Sequence, residues 1–297
     1  MNRMKISRKY AFSKNMIECI IKMMKEGDIL HTAKQIHQED LKRLQALRYM
    51  DDDFMTVCLA DNFEGMELIL RIVLGRGDIK IKSVRTQELI KNLQGRSATF
   101  DVHAVDSYNK EFDVEIQRKD TGAGAKRARH NSSLLDAHIL KSGDDTEDIP
   151  DSYVIFITEN DVLKGNQPIY PVERYITIGE NKVLFNDGSH ILYVNGKYRG
   201  NDEIGKLMHD FSCTNPDHMY YEVLAKKARY FKQDKKGVAA MCKIMEDMRN
   251  EAELNKAKRT AIHLIKIGKM TLEEIAEATE LPLAIVKELE KQSMHLA

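Results

Sequence analysis

The chain has 297 residues, of which 42% are hydrophobic and 31% charged, so it can bury a sizeable core beneath a densely charged surface. Lys plus Arg and Asp plus Glu both number 46, which makes the formal net charge zero. Nucleic-acid-binding proteins often have a basic balance. A DNA-binding surface on this chain therefore requires local segregation of basic residues.

Cysteine spacing and hydropathy exclude several classes of protein. The four cysteines are widely spaced and form no CxxC pair, which argues against a zinc site or a disulfide framework and favours a reducing compartment. No apolar run approaches the roughly 18 residues that span a bilayer. The N-terminus also lacks the apolar stretch of a secretory signal. We therefore expect a cytoplasmic protein with no membrane partner.

The first part of the chain is predicted to be helical. Apolar residues recur at helical spacing from Ile17 to Met24, and a second short helix is predicted from Gln38 to Arg48. The run Asp51-Asp52-Asp53 is interpreted as a helix cap and solvated turn. The apolar segment from Phe63 to Leu74 predicts a largely buried helix that ends at Gly75.

The middle of the chain changes to a period of two. Strands are predicted from Ile79 to Val84, from Phe100 to Asp106 and from Glu111 to Arg118, followed by a helix over 124–141. The continuous apolar run from Tyr153 to Thr158 is typical of a strand buried on both faces.

The last third of the chain is predicted to pass from short strands to helices. Residues 168–200 read as short strands with an Asn-Gly hairpin turn at Val194–Lys197. From Asp202 onward the pattern is nearly all helical, with one division at Pro216 and a later helix start at Pro282.

Two of the predicted strands form a hairpin if residues 107–109 are a three-residue loop and Asp106 pairs with Lys110. Asp101 then lies opposite Glu115 on one face, and His103 lies opposite Asp113. The other face is wholly apolar, with the pairs Phe100–Ile116, Val102–Val114 and Ala104–Phe112. A one-residue slip would scramble both faces, so burial selects this register or one two residues away.

This register places the Cβ atoms of Asp101 and Glu115 about 5 Å apart. Like charges so close are mutually destabilising, and a divalent cation removes the penalty. Mg²⁺ prefers oxygen ligands, commonly one or two carboxylates with water and substrate phosphate. The alternative is that the pair lies on the solvent face of an ordinary hairpin, and spacing alone leaves both open.

The string Phe-Asp-Val-His-Ala-Val-Asp, a short loop, and then Phe-Asp-Val-Glu-Ile-Gln resembles the core of the PD-(D/E)XK nuclease superfamily. More narrowly, it resembles the Rpn-type branch of recombination-promoting nucleases and PD-(D/E)XK nuclease family transposases. That branch has an Asp on one strand and Glu-x-Gln on the next, which Asp101, Glu115 and Gln117 match. The resemblance covers roughly residues 40 to 250. It implies an α/β fold with a restriction-endonuclease-like core, a small mixed sheet flanked by helices, carrying helical N- and C-terminal extensions.

The resemblance also implies roles for individual residues. Asp101 and Glu115 would hold Mg²⁺, or Mn²⁺, together with the backbone carbonyl of Ile116, and Gln117 would orient the attacking water. A further helix carboxylate of the family best matches Glu67, with Glu64 one turn earlier as the competitor.

Basic and imidazole side chains flank this motif. Arg127 and Arg129, at the start of the predicted helix, would contact the phosphate backbone of DNA, since forked guanidinium donors suit oxyanions; the alternative is a solvated helix start. His103 and His130 are interpreted as structural residues.

The C-terminal end resembles a helix-turn-helix. Thr271 to Glu274 predicts a capping box, and a turn at Pro282 leads into the helix Leu283–Lys291. This second helix mixes Lys287 and Lys291 with two glutamates, so both DNA binding and a packing or dimerising role are open.

These features predict three regions: a helical N-terminal extension at 1–50, a nuclease-like domain at 51–215 and a helical C-terminal region at 216–297. The function expected is metal-dependent endonuclease cleavage of DNA, with a link to recombination or mobile elements. The alternatives are a weak or inactive DNA-binding module of the same fold and a regulatory protein that binds other proteins. A homo-oligomer is expected to form, if at all, through the C-terminal helices.

Overall fold

The structure is a computed structural model that describes residues 35–91, 96–140, 143 and 145–294. The helix predicted from Ile17 to Met24 lies outside the described residues. The chain divides into two compact units. One is Arg43–Gly237, and the other combines Met1–Lys42 with Val238–Ala297. The boundaries predicted after residues 50 and 215 differ from these divisions.

Eight strands form two sheets in the described part of the chain. They are β1 (Ile81–Ile90), β2 (Ala98–Asp106), β3 (Glu111–Gln117), β4 (Ser152–Thr158), β5 (Ile169–Val172), β6 (Tyr175–Ile178), β7 (Asn181–Leu184) and β8 (Ser189–Asn195). The larger sheet has six strands in the order β1-β2-β3-β4-β8-β5, and β6 pairs only with β7. Strands β3, β4 and β8 run parallel, whereas the β1–β2, β2–β3, β5–β8 and β6–β7 pairs are antiparallel.

The described residues also form nine helices. They are α1 (35–46), α2 (Asp52–Leu59), α3 (Phe63–Leu74), α4 (Ala125–Ile139), α5 (Glu203–Ser212), α6 (Glu222–Gln233), α7 (Lys235–Ile267), α8 (Leu272–Thr279) and α9 (Leu283–Met294). Helix α4 packs on β1, β3, β4 and β8, while α2 and α3 pack on β1, with α5 and α6 against them. The chain is therefore a mixed α/β protein with a helix-flanked sheet. No helix among the described residues is long and apolar enough to cross a bilayer.

Several predicted elements have the predicted character. The helix from Phe63 to Leu74 is confirmed, with Gly75 in the left-handed conformation at φ 62° as its C-cap. Strand β4 is buried along its whole length, as its apolar run predicts. The helical character after Asp202 and the division at Pro216 are also confirmed.

The Asn-Gly hairpin turn predicted at Val194–Lys197 is wrong. Strand β8 ends at Asn195 and leads toward α5, and the hairpin of this region is instead β6–β7. Gly196 lies close to the backbone of β4, where its N–H donates to the carbonyl of Thr158 at 2.7 Å. A Cβ at position 196 would lie 2.2 Å from that oxygen, so the glycine permits close backbone approach.

A buried lysine ties together three stretches of chain that are far apart in sequence. The Lys232 side chain is 3% exposed, and its ammonium donates to the carbonyl oxygens of Gln45, Leu47 and Thr214. It also lies 5.1 Å from the ring centroid of Phe54. Three acceptors satisfy the three ammonium protons, which offsets the cost of burying the charge.

The C-terminal helices α8 and α9 form the predicted helix-turn-helix shape. The capping box is confirmed, with the Thr271 hydroxyl accepting from the N–H of Glu274 and the Glu274 carboxylate accepting from the N–H of Thr271. Glu280 takes the left-handed conformation at φ 55° between the helices. A small apolar cluster joins them to the end of α7, with Ala261, Ile275, Leu281 and Val286 at its centre.

Candidate active site

The β2–β3 hairpin has the predicted register. Val102 pairs with Val114, His103 with Asp113 and Ala104 with Phe112, and the N–H of Asp106 donates to the carbonyl of Lys110 at 3.1 Å. Helix α4 packs on the acidic face, where its Asn131 and Arg127 contact Asp113 and Glu115. Both carboxylates are 0% exposed. The alternative of an ordinary solvent face is therefore wrong.

The regular ladder stops one rung before the two key carboxylates. Past the Val102–Val114 pair, the N–H of Ile116 donates to the Asp101 carboxylate at 2.9 Å. Asp101 is thus held directly against the backbone of β3, between Val114 and Gln117. Burial raises the pKa of Asp101 to about 6, even though the Ile116 hydrogen bond favours the ionised form.

Phe100 departs from the predicted apolar face. It belongs to a buried cluster with Ala128 and Leu135 of α4 and with Phe156 of β4, on the side of the sheet that carries Glu115. The neighbouring strand is irregular at this level, since Gln87 has φ 53° between the pairs Thr86–Val102 and Glu88–Phe100. A residue with positive φ breaks the alternation of strand faces.

Glu115 is a buried carboxylate with an incomplete set of partners. One oxygen, Oε2, pairs with the Arg127 guanidinium and accepts from the Gln117 amide at 3.4 Å. The other, Oε1, is buried and has no hydrogen-bond partner among the described residues. Burial, followed by repulsion from Asp101, raises the pKa of Glu115 to about 7 despite the opposing effect of Arg127.

A third carboxylate lies next to this pair. Asp113, two residues before Glu115 on the same face, accepts from the Asn131 amide at 2.9 Å, while its Oδ1 has no partner in the described part of the chain. Burial and then repulsion from Glu115 raise the pKa of Asp113 well above its usual range. The alternation pattern put Asp113 on this face, but no role was assigned to it.

Asp101, Ile116 and Gln117 open onto a cleft of about 450 Å³. Its other lining residues are Met50, Asp52, Arg118, Lys119, Thr121, Gly122 and Arg127. The turn at Asp120–Ala123 forms one wall, and its Gly122 leaves room for the Gln117 carboxamide, because a Cβ there would lie 1.9 Å from Oε1. Asp101, the Gln117 carboxamide and basic side chains thus line one opening, and the fully buried Glu115 lies beneath them.

The helix carboxylate at this cleft is Asp52 of α2. Its Oδ1 accepts from the Gln87 amide at 3.0 Å, and its negative charge contributes to the raised pKa of Asp101. The sequence predicts only a cap and solvated turn for the run Asp51-Asp52-Asp53. Its neighbours in sequence give no sign of the site, because Asp52 reaches the cleft through the packing of α2 on β1 and β2.

Glu67 is not brought to the cleft. Its carboxylate accepts from the N–H of Ile81 at 3.0 Å and from Arg71 at 2.9 Å, and so fixes the start of β1. Asp101 lies beside Gln87 of β1, which is about six residues, or about 20 Å, from Ile81 along that strand. Glu64, the competitor, is exposed on the first turn of α3.

The two predicted phosphate-contacting arginines have different surroundings. Arg127 turns inward, pairs with Glu115 and donates to the carbonyl of Gly122 at 3.2 Å. Arg129 is exposed, and its guanidinium has no partner among the described residues. Arg129 therefore has all of its donors free for a phosphate contact, whereas two of the Arg127 donors are already used.

His103 is held as a structural residue, in agreement with its interpretation from sequence. Its ring bridges the carboxylates of Glu88 and Glu111. Burial lowers the pKa of His103, but the hydrogen bonds to Glu111 and Glu88 outweigh that effect and raise it. His130 has a buried Nε2 without a partner in the described part of the chain.

The chemistry of the donor set fits a hard divalent cation. Asp101 and Glu115 offer carboxylate oxygens, one of them unpaired and buried, and burial followed by repulsion from neighbouring carboxylates raises the pKa of both. No group of three or more His, Cys, Asp or Glu side chains within the described ranges is arranged to hold a metal ion. Ligation would therefore depend on the two carboxylates, main-chain oxygen and water.

Comparison of the chain with protein-family models, with curated proteins and with solved structures finds no match.

Proposed function

We propose that the chain is a Mg²⁺-dependent endodeoxyribonuclease with a restriction-endonuclease-like core of the PD-(D/E)XK type. The observation that carries the proposal is the arrangement of Asp101 and Gln117 on the wall of one cleft, with the buried Glu115 beneath and hydrogen-bonded to Gln117. The pattern Asp, then Glu-x-Gln on the next strand, resembles the Rpn-type branch of that superfamily. The helix-flanked mixed sheet is compatible with such a core.

The proposed site divides its work among a few residues. Asp101, Glu115 and the carbonyl of Ile116 would hold Mg²⁺ or Mn²⁺, and Asp52 would supply the helix carboxylate in place of Glu67. When bound, the cation supplies water activation and stabilises the charge that develops on the phosphoryl group. Gln117 orients the attacking water through its amide and cannot act as a general base, because a carboxamide does not take up a proton at neutral pH.

The remaining residues of the site bind and position DNA. Arg129 contacts phosphate through its exposed guanidinium, and Arg127 is the second candidate contact once it is released from Glu115. The free cysteines Cys58, Cys213 and Cys242 support a reducing compartment, and we propose the cytoplasm. A role in recombination or mobile elements rests on the resemblance alone.

A second candidate is a DNA-binding module that does not cleave. The ion pair between Arg127 and Glu115 favours it, since this guanidinium already supplies positive charge to the acid pair. The two candidates differ in one respect: only the first requires the carboxylates of Asp101 and Glu115 for strand cleavage.

The test is nicking of supercoiled plasmid in Mg²⁺ by the wild type, Asp101→Ala and Glu115→Ala. We expect each variant to lose at least about 100-fold in rate, as removal of electrostatic stabilisation at a reacting centre does. Glu64→Ala, an exposed carboxylate on α3, is the matched control and should cut as the wild type does. Equal rates in all four proteins would exclude the site, and DNA retention without any cutting would favour the second candidate.

A further inference from the structure

The β6–β7 hairpin, which we call the arm (residues 174–187), exposes an unusual amount of apolar surface. Every residue from 171 to 187 is exposed. Six large hydrophobic side chains of the arm are between 40% and 61% exposed, namely Tyr175, Ile176, Ile178, Val183, Leu184 and Phe185. A two-stranded hairpin by itself is only marginally stable in water, so an uncovered arm of this composition is unfavourable.

The apolar residues of the arm are concentrated on one of its faces. Cross-strand partners share a face, and Ile176 pairs with Val183. Ile178, two residues on, and Phe185, two residues beyond Val183, continue this face by the alternation of side chains. The opposite face is mixed, because Tyr175 and Leu184 alternate there with Thr177 and Lys182. We call the first of these the aliphatic face.

The charges of the arm argue against nucleic acid and membrane as occupants. Arg174, the only cation on the aliphatic face within the described arm, pairs with Asp187 at its base. DNA binding requires free cations that neutralise phosphates. The tip of the arm carries Glu180 next to Gly179, and an acidic tip is poorly suited to an anionic bilayer surface.

The aliphatic face is instead complementary to itself. A face of aliphatic and aromatic side chains without unpaired charge needs no different partner to satisfy it. In a two-fold dimer the same patch of both subunits comes together. We propose that the arm is a dimerisation surface, at which the aliphatic face of one copy packs against the aliphatic face of a second copy of this chain.

The available area is sufficient for a specific but weak dimer. Each of the four side chains is about half exposed and offers on the order of 100 Å² of apolar surface, so two copies bring together about 800 Å². This total lies below the roughly 1,000 Å² that a stable specific interface clears and is typical of a weak, transient one. The dimer is therefore concentration-dependent. The proposal does not depend on nuclease activity.

Sedimentation velocity of the full chain, from low micromolar to several hundred micromolar, tests the proposal. We expect the wild type to pass from monomer to dimer, and Ile178→Asp and Phe185→Asp each to raise the dimer dissociation constant at least about tenfold. Both side chains are more than half exposed, so the substitutions should leave the melting temperature unchanged.

The matched control is Leu163→Asp, which replaces an equally exposed hydrophobic residue outside the arm. It should dimerise as the wild type does. The proposal is overturned if the folded wild type stays monomeric throughout the range. It is also overturned if folded Ile178→Asp and Phe185→Asp dimerise as tightly as Leu163→Asp.

Discussion

At the scale of single residues, the acid pair, Asp101 and Glu115, lies in surroundings that disfavour two ionised carboxylates. Glu115 is fully buried, its Oε1 has no partner among the described residues, and Asp101 lies beside it. Arg127 supplies one positive charge through Oε2, yet both acids keep raised pKa values. The pair therefore stores electrostatic strain that either a proton or a cation relieves.

The raised pKa values give a definite dependence of stability on pH. Acids with folded pKa values above their unfolded values contribute stability that is fully present below the unfolded pKa, near 4, and is lost as pH rises through the folded values of about 6 and 7. We expect wild-type melting temperature to fall by about 5 °C relative to Glu115→Gln between pH about 5 and about 8. Mg²⁺ at the upper pH should restore it in the wild type only. If the melting temperatures of the wild type and Glu115→Gln changed in parallel with pH, the buried Glu115 carboxylate would not destabilise the protein as we infer.

Substitutions of the two arginines of α4, Arg127 and Arg129, should have different effects. Arg129→Ala removes an exposed guanidinium, so we expect weaker DNA retention, a salt slope reduced by about one, and no change in melting temperature. Arg127→Ala instead leaves Glu115 unpaired and should raise its pKa further. Fluorescence anisotropy across a salt series measures the first effect, with Lys226→Ala, an exposed residue of α6, as control. An identical slope for Arg129→Ala and Lys226→Ala would remove Arg129 from the DNA-binding surface.

At the scale of elements, the hairpin could be predicted because alternation and burial admit few registers. Val102, Ala104, Phe112 and Val114 can all be buried together in the observed register or in one shifted by two residues, but not in one shifted by a single residue. The face that Phe100 takes could not be predicted, because the sheet is irregular at its level, where Gln87 of the neighbouring strand has a positive φ. A backbone irregularity of this kind leaves no sign in the residues that it affects.

The capping box of α8 could also be predicted from sequence, since the side chains of Thr271 and Glu274 each bond to the other residue's backbone. Thr271→Ala removes the hydroxyl that accepts from Glu274 and should destabilise α8 by about 1 kcal/mol. Amide hydrogen exchange in α8 should then quicken about fivefold. The control is Thr260→Ala, an exposed position inside α7 where alanine favours the helix. Unchanged exchange in α8 would mean that the cap contributes nothing measurable.

At the scale of the whole molecule, the composition of the site depends on which helices pack near the hairpin. Asp101, Glu115 and Gln117 could be assigned from a local motif. Asp52 could not, because α2 reaches the cleft through tertiary packing, and a carboxylate such as Glu67 carries no local mark that distinguishes it. The exposed arm was also missed, because its period-two pattern is typical of any strand pair and only the fold leaves it uncovered.

Lys232 has a consequence for how this protein can be divided. A fragment cut at 51–215, the nuclease-like domain predicted from sequence, would retain the carbonyl of Thr214 but lose the ammonium that it binds. It would also lose the segment around Gln45 and Leu47, whose carbonyl oxygens accept from the same ammonium. Residues 51–215, which carry Asp101 and Glu115, therefore do not form a self-contained module. A fragment that keeps this packing must include Lys232 of α6, a helix that contributes no lining residue to the cleft.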